Sequence, residues 1–213
     1  MTRPGFFIVL EGPEGSGKST LIGPLAERMR ACGVDPVVVR EPGSTRAAEI
    51  ARQALLDPDH PVGPMAELFF FLAARADLVQ TVIQPALAAG HVVLSDRFAL
   101  TTEAYQMAGR GLDPELVRVG NRAASGGLRP DLTLILDLDP ELGQARQLAA
   151  GKRQDRLDRE SAEFHRRVVS FYLAVQGEGV RHLDGRLPPD QLLQAAWSEV
   201  RMAAPESFQA AVG

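Results

Sequence analysis

The stretch FFIVLEGPEGSGKSTL, Phe6–Leu21, constrains the fold more than any other part of the chain. An apolar run of strand length breaks into glycines, a lysine and two hydroxyls, and then a helical pattern begins. Gly12-Pro13-Glu14-Gly15-Ser16-Gly17-Lys18-Ser19 fits G-x-x-x-x-G-K-[ST], in the strand–loop–helix setting that this motif requires. Glycines there let backbone N–H groups turn inward around phosphate oxygens, where side chains would obstruct them. The following helix points the positive end of its dipole at the same anion. Lys18 adds a mobile charge for the outer phosphates, and the Ser19 hydroxyl is placed to ligate Mg²⁺. A nucleoside triphosphate is therefore expected on Gly12, Gly15, Ser16, Gly17, Lys18, Ser19 and Thr20.

Apolar runs of strand length recur at Phe6–Leu10, Val37–Val39, Val92–Ser95, Leu132–Leu138 and Val180–Leu183. Several are nearly continuous in Val, Ile, Leu or Phe, as strands buried on both faces require. Helical patterns lie between them at Lys18–Cys32, Ala47–Leu56, Met65–Ala89, Leu100–Met107, Pro114–Ala124 and Glu141–Ala149, and then at Arg159–Gly177 and Pro189–Met202. The alternation predicts a three-layer α/β/α P-loop NTPase fold with a mostly parallel five-stranded sheet. The chain reads as one domain, 1–213. The basic, glycine-containing stretch AAGKRQDRLD within 149–159 reads as a short mobile lid, and residues 204–213 as a frayed tail.

A net charge of −4 argues against a non-specific binder of nucleic acid or anionic membrane. The long apolar segment Met65–Ala89 is broken by Glu67, Arg75 and Asp77, so it is not expected to span a membrane. Cys32 is the sole cysteine, which excludes an internal disulfide, and it is expected to be buried. The opening MTRPG shows no secretory pattern, and a cytoplasmic location is expected. The four histidines show no metal-ligand spacing.

What the triphosphate serves is narrowed by VVLSDRFALTTEAYQ, Val92–Gln106. A GTPase would carry a guanine-reading N-K-x-D, which is lacking. Here an apolar strand delivers Asp96 and Arg97 at its C-terminal end, where open α/β sheets bind ligands. Asp96 suits a Mg²⁺ shell, and Arg97 suits a bidentate phosphate clamp. Thr101, Thr102 and Tyr105 fall on one helical face beside them. Asp137 and Asp139 end another apolar strand and compete as metal ligands, although Asp139 before Pro140 also reads as a helix cap.

These residues resemble the thymidylate kinase (dTMP kinase) family. Leu94-Ser95-Asp96-Arg97-Phe98 through Ala104-Tyr105-Gln106 follows its D-R-[FYH]-x-x-S-[ST]-x-A-[FYW]-Q signature, with Thr101 where Ser is usual. LEGPEGSGKST, REPGST, ELFFFLAARADLV, RPDLTLILDLDPELG and DRLDRES agree in order and spacing. The resemblance implies phosphorylation of dTMP by ATP with Mg²⁺ and a homodimer formed partly by the MAELFFFLAA helix. It also implies a dTMP site of Glu14, Phe71, Arg75, Arg97, Thr101, Thr102 and Tyr105. Phe71 would stack on thymine and Arg75 would reach its O4, while Phe69 or Phe70 would be core. Arg40 and Arg46 are both left open for the acceptor phosphate. REPGST has Ser44 for the usual Gly, and a cis peptide is implied before Pro42. Gly15 directly follows Glu14, so the P-loop lacks a catalytic arginine. The lid arginines remain: Arg156 aligns best, with Arg153 and Arg159 as alternatives. The turn Asp184–Leu187 would flank adenine. Catalysis would rest on Lys18, Glu14, Asp96, Arg97 and a lid arginine, Arg156 or Arg153. Another nucleotide or deoxynucleoside kinase, or a nucleotide sensor without transfer, stands as the alternative.

Overall fold

A computed structural model describes residues 5–151 and 153–203 of the chain; the tail 204–213 lies outside the described residues. Strands β1 (Phe6–Glu11), β2 (Val37–Arg40), β3 (Val92–Asp96), β4 (Leu132–Asp137) and β5 (Val180–Asp184) form one sheet in the order β2-β3-β1-β4-β5. Every pairing is parallel. All five lie where the apolar runs predict them, four of them one residue longer and β4 one residue shorter.

Alternation along β1 shows why the sheet needs cover on both faces. Ile8 and Leu10 face a core with Leu21, Leu25 and Met29 of α1 (Lys18–Ala31) and Leu192, Ala196, Trp197 and Val200 of α9 (Pro189–Ala203). Phe7 and Val9 face the opposite layer, against Leu78, Val79, Ile83 and Phe98. Leu21, Leu25 and Met29 recur every fourth residue, so α1 presents one stripe to the sheet. Each such side chain contributes about 2 kcal/mol by leaving water.

The second layer comprises α2 (Arg46–Leu56), α3 (Pro64–Leu78), α4 (Gln84–Ala88), α5 (Ala99–Thr102), α6 (Pro114–Ser125), α7 (Pro140–Ala149) and α8 (Ala162–Ala174) together with their connections. The helix expected over Met65–Ala89 is divided by a π-helical segment, Val79–Ile83, and a second one, Glu103–Gly109, extends α5. Helix α8 is shorter than the expected Arg159–Gly177, because Ser161 caps it by accepting from Phe164 N. Asp113 and Asp139 cap α6 and α7 from the position before a proline.

Parallel register brings the strand ends to one edge. Asp96 lies level with Leu10 and with Arg40, and Asp137 level with Asp184. After β3 the chain crosses β1 to begin β4 on its other side, which opens a crevice at that edge.

Two burial expectations are corrected. Phe69 and Phe70 are not core: Phe69 is 57% exposed and Phe70 36%, whereas Phe71 is buried. Three consecutive helical residues cannot share one face, and only Phe71 falls on the inward stripe with Leu68, Ala74 and Arg75. Cys32 is half-buried at the end of α1, packed at the margin of the core.

Candidate active site

A cavity of about 780 Å³ occupies the crevice, within the size range of small-ligand sites. At one end it is lined by Gly15, Ser16, Gly17, Lys18, Ser19 and Thr20, and at the other by Phe71, Arg97, Thr101 and Tyr105. Glu14 and Asp96 line it as well.

The P-loop is held by backbone-to-backbone packing that tolerates no side chain. Gly15 has φ 73°, and a Cβ on it would lie 2.3 Å from the Gly143 carbonyl oxygen. Conversely, a Cβ on Gly143 would lie 2.4 Å from the carbonyl oxygen of Glu14. Helix α7 is thereby seated on the loop. Inside it, Lys18 Nζ donates to the carbonyls of Gly12 (2.8 Å) and Pro13 (2.7 Å) and to Ser16 Oγ (3.2 Å). Burial first, and then the nearby Arg97 charge, push the Lys18 amine down to about 8. The negative charge of a triphosphate would offset both effects.

Arg97 bridges the two halves. Its Nη1 donates to the Gly12 carbonyl and to Thr101 Oγ1, both at 3.1 Å, and its Nη2 donates to Glu14 Oε1. Burial disfavours its charge, but Glu14 and other neighbours more than offset this and hold the pKa above the ordinary arginine value. Its backbone sits at φ 75°, a region that a long side chain occupies only when its surroundings enforce it. The ring of Tyr105 stacks 5.4 Å from the Arg97 guanidinium, and burial, followed by Glu14, raises its phenol pKa.

Asp96 Oδ1 is buried and has no hydrogen-bond partner. One unsatisfied carboxylate oxygen in the cavity that Ser19 also lines fits a Mg²⁺ ion, which takes few protein ligands and completes its shell with water and phosphate. Among the described residues no cluster of three or more His, Cys, Asp and Glu is placed to hold a metal. The competitors are engaged elsewhere. Asp139 caps α7, and both Asp137 oxygens lie 2.9 Å from His182 Nδ1.

Arg75 is fully buried, and it is absent from the cavity lining. It donates from Nε to Glu41 Oε2 (2.8 Å), from Nη1 to Asn121 Oδ1 (2.5 Å) and from Nη2 to the Phe98 carbonyl (3.0 Å). Thr102 is also fully buried and off the lining, with its hydroxyl unpartnered. Phe71, Thr101 and Tyr105 are brought together as expected. The Glu41–Pro42 peptide is cis, and Ser44 takes φ 70°, where glycine would be unstrained. Ser44 is held there by bonds from Arg40 N to its Oγ and from its own N to Glu49, each 2.9 Å. Of the two phosphate candidates in REPGSTR, Arg40 lines the cavity and Arg46 does not.

In the segment expected to form a lid, Asp155 and Leu157 line the cavity. Arg156 does not: its Nε donates to the Leu55 carbonyl (2.9 Å) and its Nη2 to Glu67 Oε2 (2.5 Å). Glu67 is fully buried and also receives Arg110 and Gln106. Asp158 accepts from Gln147 Nε2 (2.9 Å) and from Asp155 N (3.0 Å). Arg153 is exposed.

Two lining arginines escape sequence reasoning, Arg52 of α2 and Arg146 of α7. Arg146 Nη1 donates to the Gly185 carbonyl (2.7 Å), in the connection 185–188 that walls the P-loop end together with the start of α9. Their only sequence signal is position: Arg146 lies three residues, nearly one turn, after Gly143 on a helix begun by Asp139.

The family profile described as Thymidylate kinase matches residues 10–195. A thymidylate kinase from a Synechococcus species is 45% identical over 93% of this chain and 96% of its own length. One from Ectopseudomonas mendocina is 51% identical over 84% of this chain and 85% of its own. Among solved structures, the crystal structure of thymidylate kinase from Ehrlichia chaffeensis superposes with a TM-score of 0.74. It shares 27% identity, over 92% of this chain and 99% of that one.

Proposed function

Since the chain belongs to the thymidylate kinase family and phosphorylates dTMP, we propose how its own residues carry out the transfer from ATP. The carrying observation is one cavity with a phosphate-binding loop at one end and Arg97, Tyr105 and Phe71 at the other. The triphosphate lies along Gly12–Thr20, with Lys18 leaving its loop carbonyls for the outer phosphates. Adenine rests between Arg146 and the 185–188 connection before α9. Thymine stacks on Phe71, and the deoxyribose packs on Tyr105. Glu14 accepts from the 3′-hydroxyl, and Arg97 takes the acceptor phosphate, with Arg40 and Arg52 nearby.

Mg²⁺ held near Ser19 and Asp96 would neutralise charge across the phosphates. The acceptor phosphate is already an anionic nucleophile, so no general base is required. Positioning and charge neutralisation supply the acceleration. Arg75 is held off the cavity by Glu41, Asn121 and the Phe98 carbonyl, so it would meet thymine O4 only by turning out of those bonds when dTMP binds. For the lid charge we take Arg153, exposed as Arg159 also is, over Arg156; none of the three lines the cavity. Arg156 would have to leave a buried carboxylate, which identifies it better as the anchor of the lid.

The homodimer is supported by exposed Met65, Phe69 and Phe70 of α3 beside exposed Leu116 and Val119 of α6, a helix packed against α3. An acceptor panel with ATP, followed as ADP formation, tests the function. The reading requires dTMP to lead. Preference for another monophosphate or nucleoside would mark a different kinase, and ATP binding without transfer to any acceptor would mark a sensor.

A further inference from the structure

Glu11 ends β1 immediately before the P-loop and is fully buried, yet it does not line the cavity. The hydrogen bonds it accepts come from the segment that carries Arg97 and from α8. Its Oε1 accepts from Phe98 N (2.9 Å) and Thr101 N (3.2 Å). Its Oε2 accepts from Thr101 Oγ1 (2.7 Å) and Tyr172 Oη (2.9 Å).

A buried carboxylate is costly unless its oxygens are satisfied, and here it organises the donors around it. The two N–H groups belong to the residue after Arg97 and to the third residue of α5. Ser95 Oγ donates to the Arg97 carbonyl (2.7 Å), and Arg97 N donates to the Leu10 carbonyl (2.9 Å). The left-handed turn at Arg97 is thus fixed on both sides. Because the Thr101 hydroxyl donates to Glu11, its lone pairs face Arg97 Nη1, from which it accepts at 3.1 Å. The chain Arg97–Thr101–Glu11 is polarised in one direction, and such chains strengthen each member. Tyr172, within 3.0 Å of Thr101 Oγ1, ties the same carboxylate to α8, the helix that follows the lid.

We propose that Glu11, supported by Tyr172, is the positioning residue that aims Arg97 at the acceptor phosphate. The inference rests on the reading of Arg97 as the dTMP phosphate clamp.

The test is calorimetric binding of dTMP and of thymidine, which lacks the phosphate. Glu11→Gln preserves volume but presents an amide N–H₂ to two hydroxyls, so Thr101 can no longer donate to it. Losing one charge-assisted bond at Arg97 costs about tenfold or more. Glu11→Gln is therefore expected to weaken dTMP by that factor and to leave thymidine within about twofold. Tyr172→Phe keeps the ring in the core and removes only the hydroxyl; it is expected to weaken dTMP by about fivefold, the size of a neutral bond. In an Arg97→Ala background Glu11→Gln should add nothing. Equal weakening of both ligands, or additivity with Arg97→Ala, would make Glu11 merely structural and overturn the proposal. Should Glu11→Gln fail to fold, Tyr172→Phe decides by the same split. A wild-type protein that binds thymidine as tightly as dTMP would overturn the acceptor assignment itself, and this inference with it.

Discussion

Proton uptake on nucleotide binding follows from the state of Lys18. Its pKa is pushed down from 10.5 to about 8, a differential cost of roughly 3 kcal/mol for its charged form. Burial and Arg97 cause this, and its three donors are spent on the P-loop itself. A triphosphate brings several negative charges to the ammonium and returns its pKa to the ordinary range. The sign is fixed: above pH 8 the free protein holds Lys18 largely neutral, so binding must draw a proton from solvent. Uptake per site should be about 0.1 at pH 7, 0.5 at pH 8 and 0.9 at pH 9, if the bound pKa is near 10.5. Calorimetry of Mg·ATP binding in buffers of different ionisation enthalpy, at those three values, measures it. The nucleotide phosphates are already deprotonated at pH 8 and above and contribute no uptake. A proton count that stays flat from pH 7 to 9, or that turns to release, would refute the reasoning.

Arg153→Ala is expected to lower kcat by about 10³ with dTMP affinity retained, whereas Arg156→Ala, which strips one partner from Glu67, should mainly lower Tm; single-turnover rates beside thermal melts separate them, and the reverse pattern would return the lid charge to Arg156. Arg75→Met leaves Glu41 buried without its cation, so a loss of about 3–5 kcal/mol in chemical unfolding is expected. A loss below about 1 kcal/mol would show that Glu41 is neutral in the fold. The thymine methyl should contribute about 1–3 kcal/mol to discrimination, making dUMP a poorer but real substrate; equal kcat/KM for dUMP and dTMP would exclude a shaped methyl pocket.

The sheet was legible because its signals are local. Each strand is an apolar run between helical patterns, and the glycine loop after β1 announces both its geometry and its ligand. Phe71 was legible through its register with Arg75, but the same run misled at Phe69 and Phe70. Aromatic character suggests core, while the helical turn carries those two to an exposed face. Arg52 and Arg146 were not legible, since an arginine on a helix faces water unless tertiary packing brings a site to it. The partnership of Arg156 with Glu67 spans 89 residues, and no spacing rule reaches that far. Glu11 reads in sequence as the polar end of a strand, and only the fold gathers four donors around it.

The stereochemical course at phosphorus tests the central claim most directly. If the cavity holds the two anions end to end, γ-thiophosphate made chiral with oxygen isotopes must pass from ATP to dTMP in one displacement, with inversion. Retention would mean an even number of transfers through a covalent enzyme intermediate, and it would contradict the account.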